Sequence, residues 1–185
     1  MEKIVVNDTN VFIDLFNVGL LEEFFSLPWE IHTTNFVMLE LQREGQQASV
    51  SHFRDTDRLH VPVFEQEELT EIVRMYHRYY GKMSNVSMTD CSVWYYAKVN
   101  HYMLLTGDRK LRNASHFDGV EVHGVIYVFD SLVASGIIPQ QTAAEKLKQL
   151  YSLNSRLPKD ELDRRLKDWL PDAEEKVGSI LRSKT

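Results

Sequence analysis

The sequence contains one cysteine, Cys91, and five prolines in 185 residues. A single thiol excludes an internal disulfide and a cysteine-based zinc site, so the fold must depend on its apolar core. No apolar run reaches the roughly 18 residues that a membrane-spanning helix requires. The first residues also lack the basic and apolar pattern of a secretory signal. These absences predict a cytoplasmic protein that does not engage a membrane.

Basic residues do not dominate the sequence either. The net charge of −6 argues against a nucleic-acid binder that adheres through charge alone. The excess of acidic residues lies within residues 1–138, whereas residues 139–185 carry slightly more Lys and Arg than Asp and Glu. Clustered carboxylates that need a metal ion would explain this excess, but plain solubility explains it as well, and charge alone favours solubility.

Short apolar runs alternate with helical patterns along residues 1–138. Residues 3–7 contain three consecutive β-branched side chains, which is typical of a buried strand. Further strands are predicted at 30–34, 58–64, 102–106 and 120–123. Pro62 favours a sheet edge for the strand that contains it. Strands separated by helices predict an α/β fold, namely a three-layer α/β/α sandwich with a five-stranded parallel sheet.

The pattern changes beyond Pro139. Residues 140–151 and 159–169 show the spacing of two amphipathic helices, and residues 172–181 are consistent with a third. We therefore expect an α/β domain over residues 1–138 and a helical C-terminal extension over residues 139–185.

Four acidic residues occupy similar positions in different strand–helix units. Asp8 follows the first strand, and Asp108 follows the strand that ends at Thr106. In open parallel sheets, ligand sites form beyond the carboxyl ends of the strands, so Asp8 and Asp108 meet there if their strands are neighbours. Glu40 and Asp90 lie in helices that can reach the same cleft.

A metal ion would resolve the repulsion among these carboxylates. Like charges a few ångströms apart raise each other's pKa, and ligands that are all oxygen favour Mg²⁺ or Mn²⁺ over zinc. Each residue also has a simpler explanation, because Asp8, Asp90 and Asp108 can each cap a helix and Glu40 can be a solvated side chain. Only the joint pattern favours a catalytic metal site, with one ion or two.

The order of these motifs resembles that of PIN-domain ribonucleases over about residues 3–135. The matching segments are 5–11, 36–41, 89–90 with Ala97, and 104–108. The resemblance implies a five-stranded parallel sheet between helices and Mg²⁺- or Mn²⁺-dependent cleavage of RNA. It assigns catalysis and metal binding to Asp8, Glu40, Asp90 and Asp108. It also implies that Thr9, Asn10 and Thr106 shape the site.

Many bacterial proteins of this kind are the VapC-type toxins of toxin–antitoxin pairs. They are usually shorter than this chain, so the extension is a departure that puts toxin status in doubt. The resemblance leaves open an antitoxin or another protein partner, and a homodimer. Its alternative is a catalytically silent PIN-like module that binds protein or RNA.

Two further features bear on function. The basic residues Arg109, Lys110 and Arg112 follow Asp108 directly, where they would either contact RNA phosphates or form an exposed basic turn. A phosphatase of the haloacid-dehalogenase kind also places Asp after its first strand. That chemistry needs a second Asp two residues later, and position 10 is Asn10, which argues against it.

Overall fold

The computed structural model describes residues 3–80, 86–154 and 156–170. The strands are β1 (Lys3–Asn7), β2 (Trp29–His32), β3 (Met103–Leu105) and β4 (Val122–His123). The helices are α1 (Thr9–Asn17), α2 (Leu21–Phe25), α3 (Asn35–Glu40), α4 (Glu44–Asp55), α5 (Gln66–Tyr79), α6 (Met88–Asn100), α7 (Arg109–Phe117), α8 (Val125–Ala134), α9 (Gln140–Leu153) and α10 (Lys159–Trp169). Among these helices, none is both long enough and apolar enough to cross a membrane.

The strands form one parallel sheet in the order β2-β1-β3-β4. β1 lies in the middle because Val5 and Val6 are apolar on both faces and are fully buried. Asn7 is paired with Leu105, so β1 and β3 end side by side. The residues that follow these two strands therefore start from the same edge of the sheet.

The predicted five-stranded sheet is wrong in number, because the described residues form a four-stranded sheet. The predicted strand at 58–64 forms only one isolated parallel bridge, between His32 and His60. The His60 N–H donates to the Ile31 carbonyl at 2.9 Å, and the Thr33 N–H donates to the His60 carbonyl at 3.0 Å. The next donor in a parallel ladder would be residue 62, and Pro62 has no N–H, so the pairing stops there.

The described helices form two packing groups, as a sheet covered on both faces requires. α6 contacts β1 and β3 and also packs against α5, α7 and α3. α1 packs with α2, α4 and α8. α8 in turn packs against α9, and α9 packs against α10. α4 was not predicted from the sequence.

The helices of the extension share the hydrophobic core of the sheet. Leu147 and Leu150 of α9 are fully buried, and Leu162 and Trp169 of α10 are nearly so. Lys146 reaches back to α1 and donates from Nζ to the Val18 carbonyl at 2.6 Å. The helix predicted at 172–181 lies outside the described residues. The boundary between residues 138 and 139 stays a prediction.

Candidate functional site

The adjacent ends of β1 and β3 bring Asp8 and Thr106 together. The Asp8 N–H donates to the Leu105 carbonyl at 3.0 Å, and the Thr106 hydroxyl donates to Asp8 Oδ2 at 2.8 Å. Asp8 is only 1% exposed, and Thr106 is fully buried. A buried carboxylate thus lies at the carboxyl edge of the sheet, where the sequence predicted the site.

Asp8 is held in place by its neighbours at the start of α1. The Thr9 N–H donates to Asp8 Oδ1 at 2.7 Å, and Asn10 Nδ2 donates to Asp8 Oδ2 at 3.3 Å. Asp8 is therefore the N-cap of α1 as well as a site candidate. All three residues that the sequence suggested as shaping the site, Thr9, Asn10 and Thr106, bond to this one carboxylate.

Glu40 connects to the same centre through Thr9. The Thr9 hydroxyl donates to Glu40 Oε2 at 2.7 Å, and Glu40 is the last residue of α3. Unlike Asp8, the Glu40 side chain is exposed to solvent. It is therefore placed at the mouth of the site, where it can move without disturbing the core.

Two buried hydroxyls that were not predicted connect the helices of Glu40 and Asp90. Thr34 caps α3, and its Oγ1 lies 2.8 Å from the Ser92 Oγ of α6. Both side chains are fully buried. The cap position of Thr34 is readable from the sequence, but its pairing with a residue 58 positions later is not.

Asp90 belongs to a capping box at the start of α6. The Ser87 N–H donates to Asp90 Oδ2 at 2.6 Å, and the Asp90 N–H donates to Ser87 Oγ at 3.0 Å. Residues 87–90, Ser-Met-Thr-Asp, have the sequence form of such a box, with Asp in the place where Glu is usual. The capping role and a functional role therefore coincide in one side chain.

Asp108 caps α7 and is coupled to Asp8 through Thr106. Its Oδ1 accepts hydrogen bonds from the Lys110 N–H at 2.6 Å and the Leu111 N–H at 2.9 Å. The Asp108 N–H donates to Thr106 Oγ1 at 3.0 Å, and the same hydroxyl donates to Asp8. Since both cap bonds use Oδ1, Asp108 keeps its second oxygen for another contact.

The four carboxylates influence one another electrostatically. Burial and then the charge of Asp90 raise the pKa of Asp8 to about 7, against the hydrogen bonds from Thr106, Thr9 and Asn10. The pKa of Asp90 is raised by burial and then by the charges of Asp108 and Glu40, against the hydrogen bonds from Ser87. Mutual repulsion of this kind is what a bound cation would relieve.

The donor set suits a hard divalent cation, although the side chains do not form a closed shell. Carboxylate oxygens are the ligands that Mg²⁺ and Mn²⁺ prefer, and among the described residues no thiol or imidazole bonds to any of the four. Within residues 3–80, 86–154 and 156–170, no three His, Cys, Asp or Glu side chains lie close enough together to hold an ion. Metal binding would therefore require the acidic side chains to approach one another more closely than they do here.

The basic residues after Asp108 divide into two kinds. Arg109 and Lys110 are exposed at the start of α7. Arg112 is half-buried, and its Nη2 donates to the Thr106 carbonyl at 3.2 Å. Its guanidinium lies against Gly124, where any added Cβ would collide with it. Arg112 thus supports the residue that connects Asp8 to Asp108.

Sequence comparison identifies the family that this fold and site define. The family model described as "DUF3368: PIN domain" matches residues 4–170. The chain therefore belongs to the PIN-domain family, which confirms the resemblance seen in the sequence motifs. The match continues through α9 and α10, so residues 139–170 of the extension are part of the matched region.

Solved structures are similar to this chain at low sequence identity. The crystal structure of PAE2754 from Pyrobaculum aerophilum aligns with a TM-score of 0.51 and 17% identity, over 72% of this chain and 99% of that chain. The structure of VapBC2 from Rickettsia felis, bound to a DNA fragment from their promoter, aligns with a TM-score of 0.47 and 15% identity, over 65% of this chain and 98% of that one. No curated protein gives a significant sequence match.

Proposed function

We propose that the protein is a metal-dependent endoribonuclease that hydrolyses RNA phosphodiester bonds at Asp8, Glu40, Asp90 and Asp108. One observation carries the proposal. Asp8 is a buried carboxylate at the sheet edge whose pKa is raised to about 7 by burial and by Asp90. A carboxylate whose ionisation is made this unfavourable by its surroundings is typical of a functional site. A helix cap does not require it, because an exposed side chain would suffice. Membership of the PIN-domain family supports this reading.

The four acidic side chains would hold Mg²⁺ or Mn²⁺, with Asp8 as the most rigid ligand. Thr9, Asn10 and Thr106 fix the Asp8 carboxylate from three directions. Asp108 Oδ2 accepts neither of the two cap bonds, so this oxygen would be available to the ion. Glu40 would approach the ion from its exposed position beside Thr9. A bound ion lowers the pKa of a coordinated water and offsets charge on the phosphate.

The residues of the chain would then position the RNA for attack by water. Arg109 and Lys110 lie beside Asp108 and would attract phosphates toward an otherwise acidic centre. Arg112 would act indirectly, because its bond to the Thr106 carbonyl fixes the hydroxyl that orients Asp8. Since Asp8 has a raised pKa, metal binding would release a proton and would strengthen as the pH rises.

The partners expected for this protein are inferred from its membership of the PIN-domain family and not from contacts in the structure. An antitoxin or other protein partner, a homodimer, toxin activity and a cytoplasmic location all remain predictions. The alternative function, a catalytically silent PIN-like binding module, has one observation in its favour. Asp8, Asp90 and Asp108 each cap a helix in the structure. An acidic residue at these positions therefore stabilises the fold even without a catalytic role.

Cleavage of a mixed RNA pool in Mn²⁺, Mg²⁺ or EDTA tests the proposal. We expect the wild-type protein to cut RNA with either metal and not in EDTA. Asp8→Asn should lose activity by more than the roughly 100-fold that loss of a supporting residue can cost at a metal site. Asp163→Asn, which changes an exposed carboxylate on α10, is the matched control and should cut normally.

Thermal unfolding with and without Mn²⁺ gives a readout that does not depend on the RNA. Mn²⁺ should raise the melting temperature of the wild type and of Asp163→Asn, but should have little effect on Asp8→Asn. An Asp8→Asn protein that cuts RNA at the wild-type rate would exclude the proposed site. A wild type that binds RNA, ignores Mn²⁺ and never cuts would establish the silent module instead.

A further inference from the structure

A cleft of about 720 Å³ opens beside Asp108, and the C-terminal extension builds one of its walls. The opposite wall is the start of α7, with Asp108, Arg109 and Lys110. The extension contributes the turn between α9 and α10, including Asn154 and Arg156. We call this space the extension cleft. Its volume falls within the range of roughly 300–1,000 Å³ that ligand pockets occupy.

Both walls of the extension cleft bring positive charge close to the acidic site. Arg165 also lines the cleft, but it is committed to Asp130 through Nε at 2.8 Å and Nη2 at 2.6 Å. Arg109, Lys110 and Arg156 are exposed and take part in no ion pair among the described residues. They are therefore the cations that remain for a ligand. They outnumber Glu161, the exposed carboxylate of the extension that also lines the cleft, so the ligand they fit is an anion.

The turn that carries Arg156 is anchored to the helix that begins at the acidic site. The Arg156 N–H donates to Asn154 Oδ1 at 3.2 Å. Asn154 Nδ2 in turn donates to both carboxylate oxygens of Asp14, at 3.1 and 3.2 Å. Asp14 is a buried residue of α1, and α1 begins at Thr9 beside Asp8. This chain of contacts fixes the position of the Arg156 backbone relative to the carboxylates.

Two stacked rings line the cleft between these walls. The rings of His123 and Tyr127 lie with their centroids 4.0 Å apart and their planes inclined by 20°. Aromatic rings next to cations are the features with which proteins hold single-stranded RNA, since unpaired bases stack while the cations follow the phosphates. A duplex would present its backbone but not its base faces, so this lining favours a single strand.

We propose that the extension cleft binds single-stranded RNA next to the bond to be cut, and that Arg156 of the extension contacts a phosphate there. The proposal rests on the nuclease function proposed above and assigns the extension a part in substrate binding. Arg156 lies 48 residues after Asp108 in the sequence, and both residues line the same cleft. The extension thus completes the substrate surface as well as packing on the core.

Two substitutions with the same charge change test this assignment. Arg156→Gln and Arg164→Gln are each made in the full-length Asp8→Asn protein. Both arginines are exposed, Arg156 just before α10 and Arg164 in the middle of that helix, but Arg164 does not line the extension cleft. Binding of a fluorescein-labelled oligouridylate and of an RNA duplex of equal length is measured in Mg²⁺ by anisotropy across a range of salt concentrations.

We expect Arg156→Gln to weaken oligouridylate binding several-fold and to reduce the slope of log K against log salt by about 0.7, the value for one lost phosphate contact on a single strand. Arg164→Gln should leave both unchanged, and the duplex should bind more weakly than the single strand. Equal effects of the two substitutions, no binding at all, or tighter binding of the duplex would overturn the proposal.

Cleavage by the wild-type protein is measured in parallel, so that the two proposals can fail separately. Wild-type cleavage together with equal binding by the two arginine variants would exclude the cleft and leave the nuclease. Absence of wild-type cleavage would count against the nuclease. The comparison between Arg156→Gln and Arg164→Gln would still decide whether the cleft holds RNA.

Discussion

Asp14 is a buried acidic residue that takes no part in the proposed chemistry. It is 5% exposed, and its partners are the two hydrogen bonds from Asn154. Burial raises its pKa to about 6, and the bonds from Asn154 only partly oppose this rise. At neutral pH the folded protein therefore contains an ionised carboxylate in a poorly solvated place, at the contact between α1 and the extension.

Replacing Asp14 should make the protein more stable at neutral pH and should remove the stability that the wild type gains from this group as the pH falls. The folded pKa of about 6 lies above the ordinary 3.8, so the folded state takes up the proton first as the pH falls. The contribution of the Asp14 carboxyl to the free energy of unfolding is thus greatest at low pH, and it is lost as the pH rises through 6. We expect Asp14→Asn to gain at most about 3 kcal/mol at pH 7, with a smaller gain at pH 5.

Urea unfolding of both proteins at the two pH values measures this gain. Asp163→Asn, with its exposed carboxylate, should show no comparable gain at either pH. If Asp14→Asn changed the free energy of unfolding equally at pH 7 and pH 5, the ionisation of Asp14 would not be the cause.

The first turn of α6 combines a helix cap and a candidate metal ligand, and two substitutions can separate these roles. Ser87→Ala removes the cap hydroxyl but keeps the backbone N–H that bonds Asp90. We expect a loss of about 1 kcal/mol in stability with RNA cleavage largely retained. Asp90→Asn should keep most of the stability and lose metal-dependent cleavage.

Chemical unfolding and the RNA assay, run on the same preparations, would compare the two variants. A fully active Asp90→Asn protein would reduce Asp90 to a helix cap. Loss of cleavage in a folded Ser87→Ala protein would show instead that the cap hydroxyl itself supports the site.

Elements with a strong local pattern could be predicted from the sequence, and elements stabilised by distant contacts could not. β1 was predicted with its observed bounds because Ile4, Val5 and Val6 make a buried strand in any context. α4 was missed because it is mostly polar and buries only Gln46, Val50 and Phe53. Its position depends on packing against α1, which local spacing does not reveal.

The same division holds for the candidate site. The places of Asp8 and Asp108 follow from the rule that parallel strands end at a common edge, and β1 and β3 do lie side by side. The bond between Thr34 and Ser92 joins residues 58 apart, and the bond between Asn154 and Asp14 joins residues 140 apart. No periodicity in the sequence pairs such residues, so only the folded structure could show them.

At the scale of the whole molecule, the extension behaves as part of the core. Its buried side chains join the same hydrophobic cluster as the sheet. It also holds the rest of the chain through polar contacts, from Lys146 to the Val18 carbonyl, from Asn154 to Asp14, and from Arg165 to Asp130. The ion pair of Arg165 uses two nitrogens against two oxygens, an arrangement that Lys could not reproduce.

Removing residues 139–185 should therefore damage the part that remains. The truncation uncovers apolar side chains of α8 that pack against α9, and it leaves Asp14 buried without its donor. We expect aggregation, or a melting temperature well below that of the full chain, in thermal unfolding and size-exclusion experiments. A soluble, monomeric and fully active truncation would show that the extension is an independent attachment.

The pairing of β1 with β3 also determines when the two sides of the candidate site can meet during synthesis. The bond between Thr106 and Asp8 closes a segment of 98 residues, so the Asp8 carboxylate has no Thr106 partner until that whole segment has been made. During synthesis the amino-terminal part emerges first, and contacts between distant residues form late because closing a long loop is entropically costly. A ribosome that makes this protein would therefore carry no assembled set of the four acidic residues until residues beyond Asp108 had emerged, which would delay the proposed cleavage of RNA until that point of synthesis.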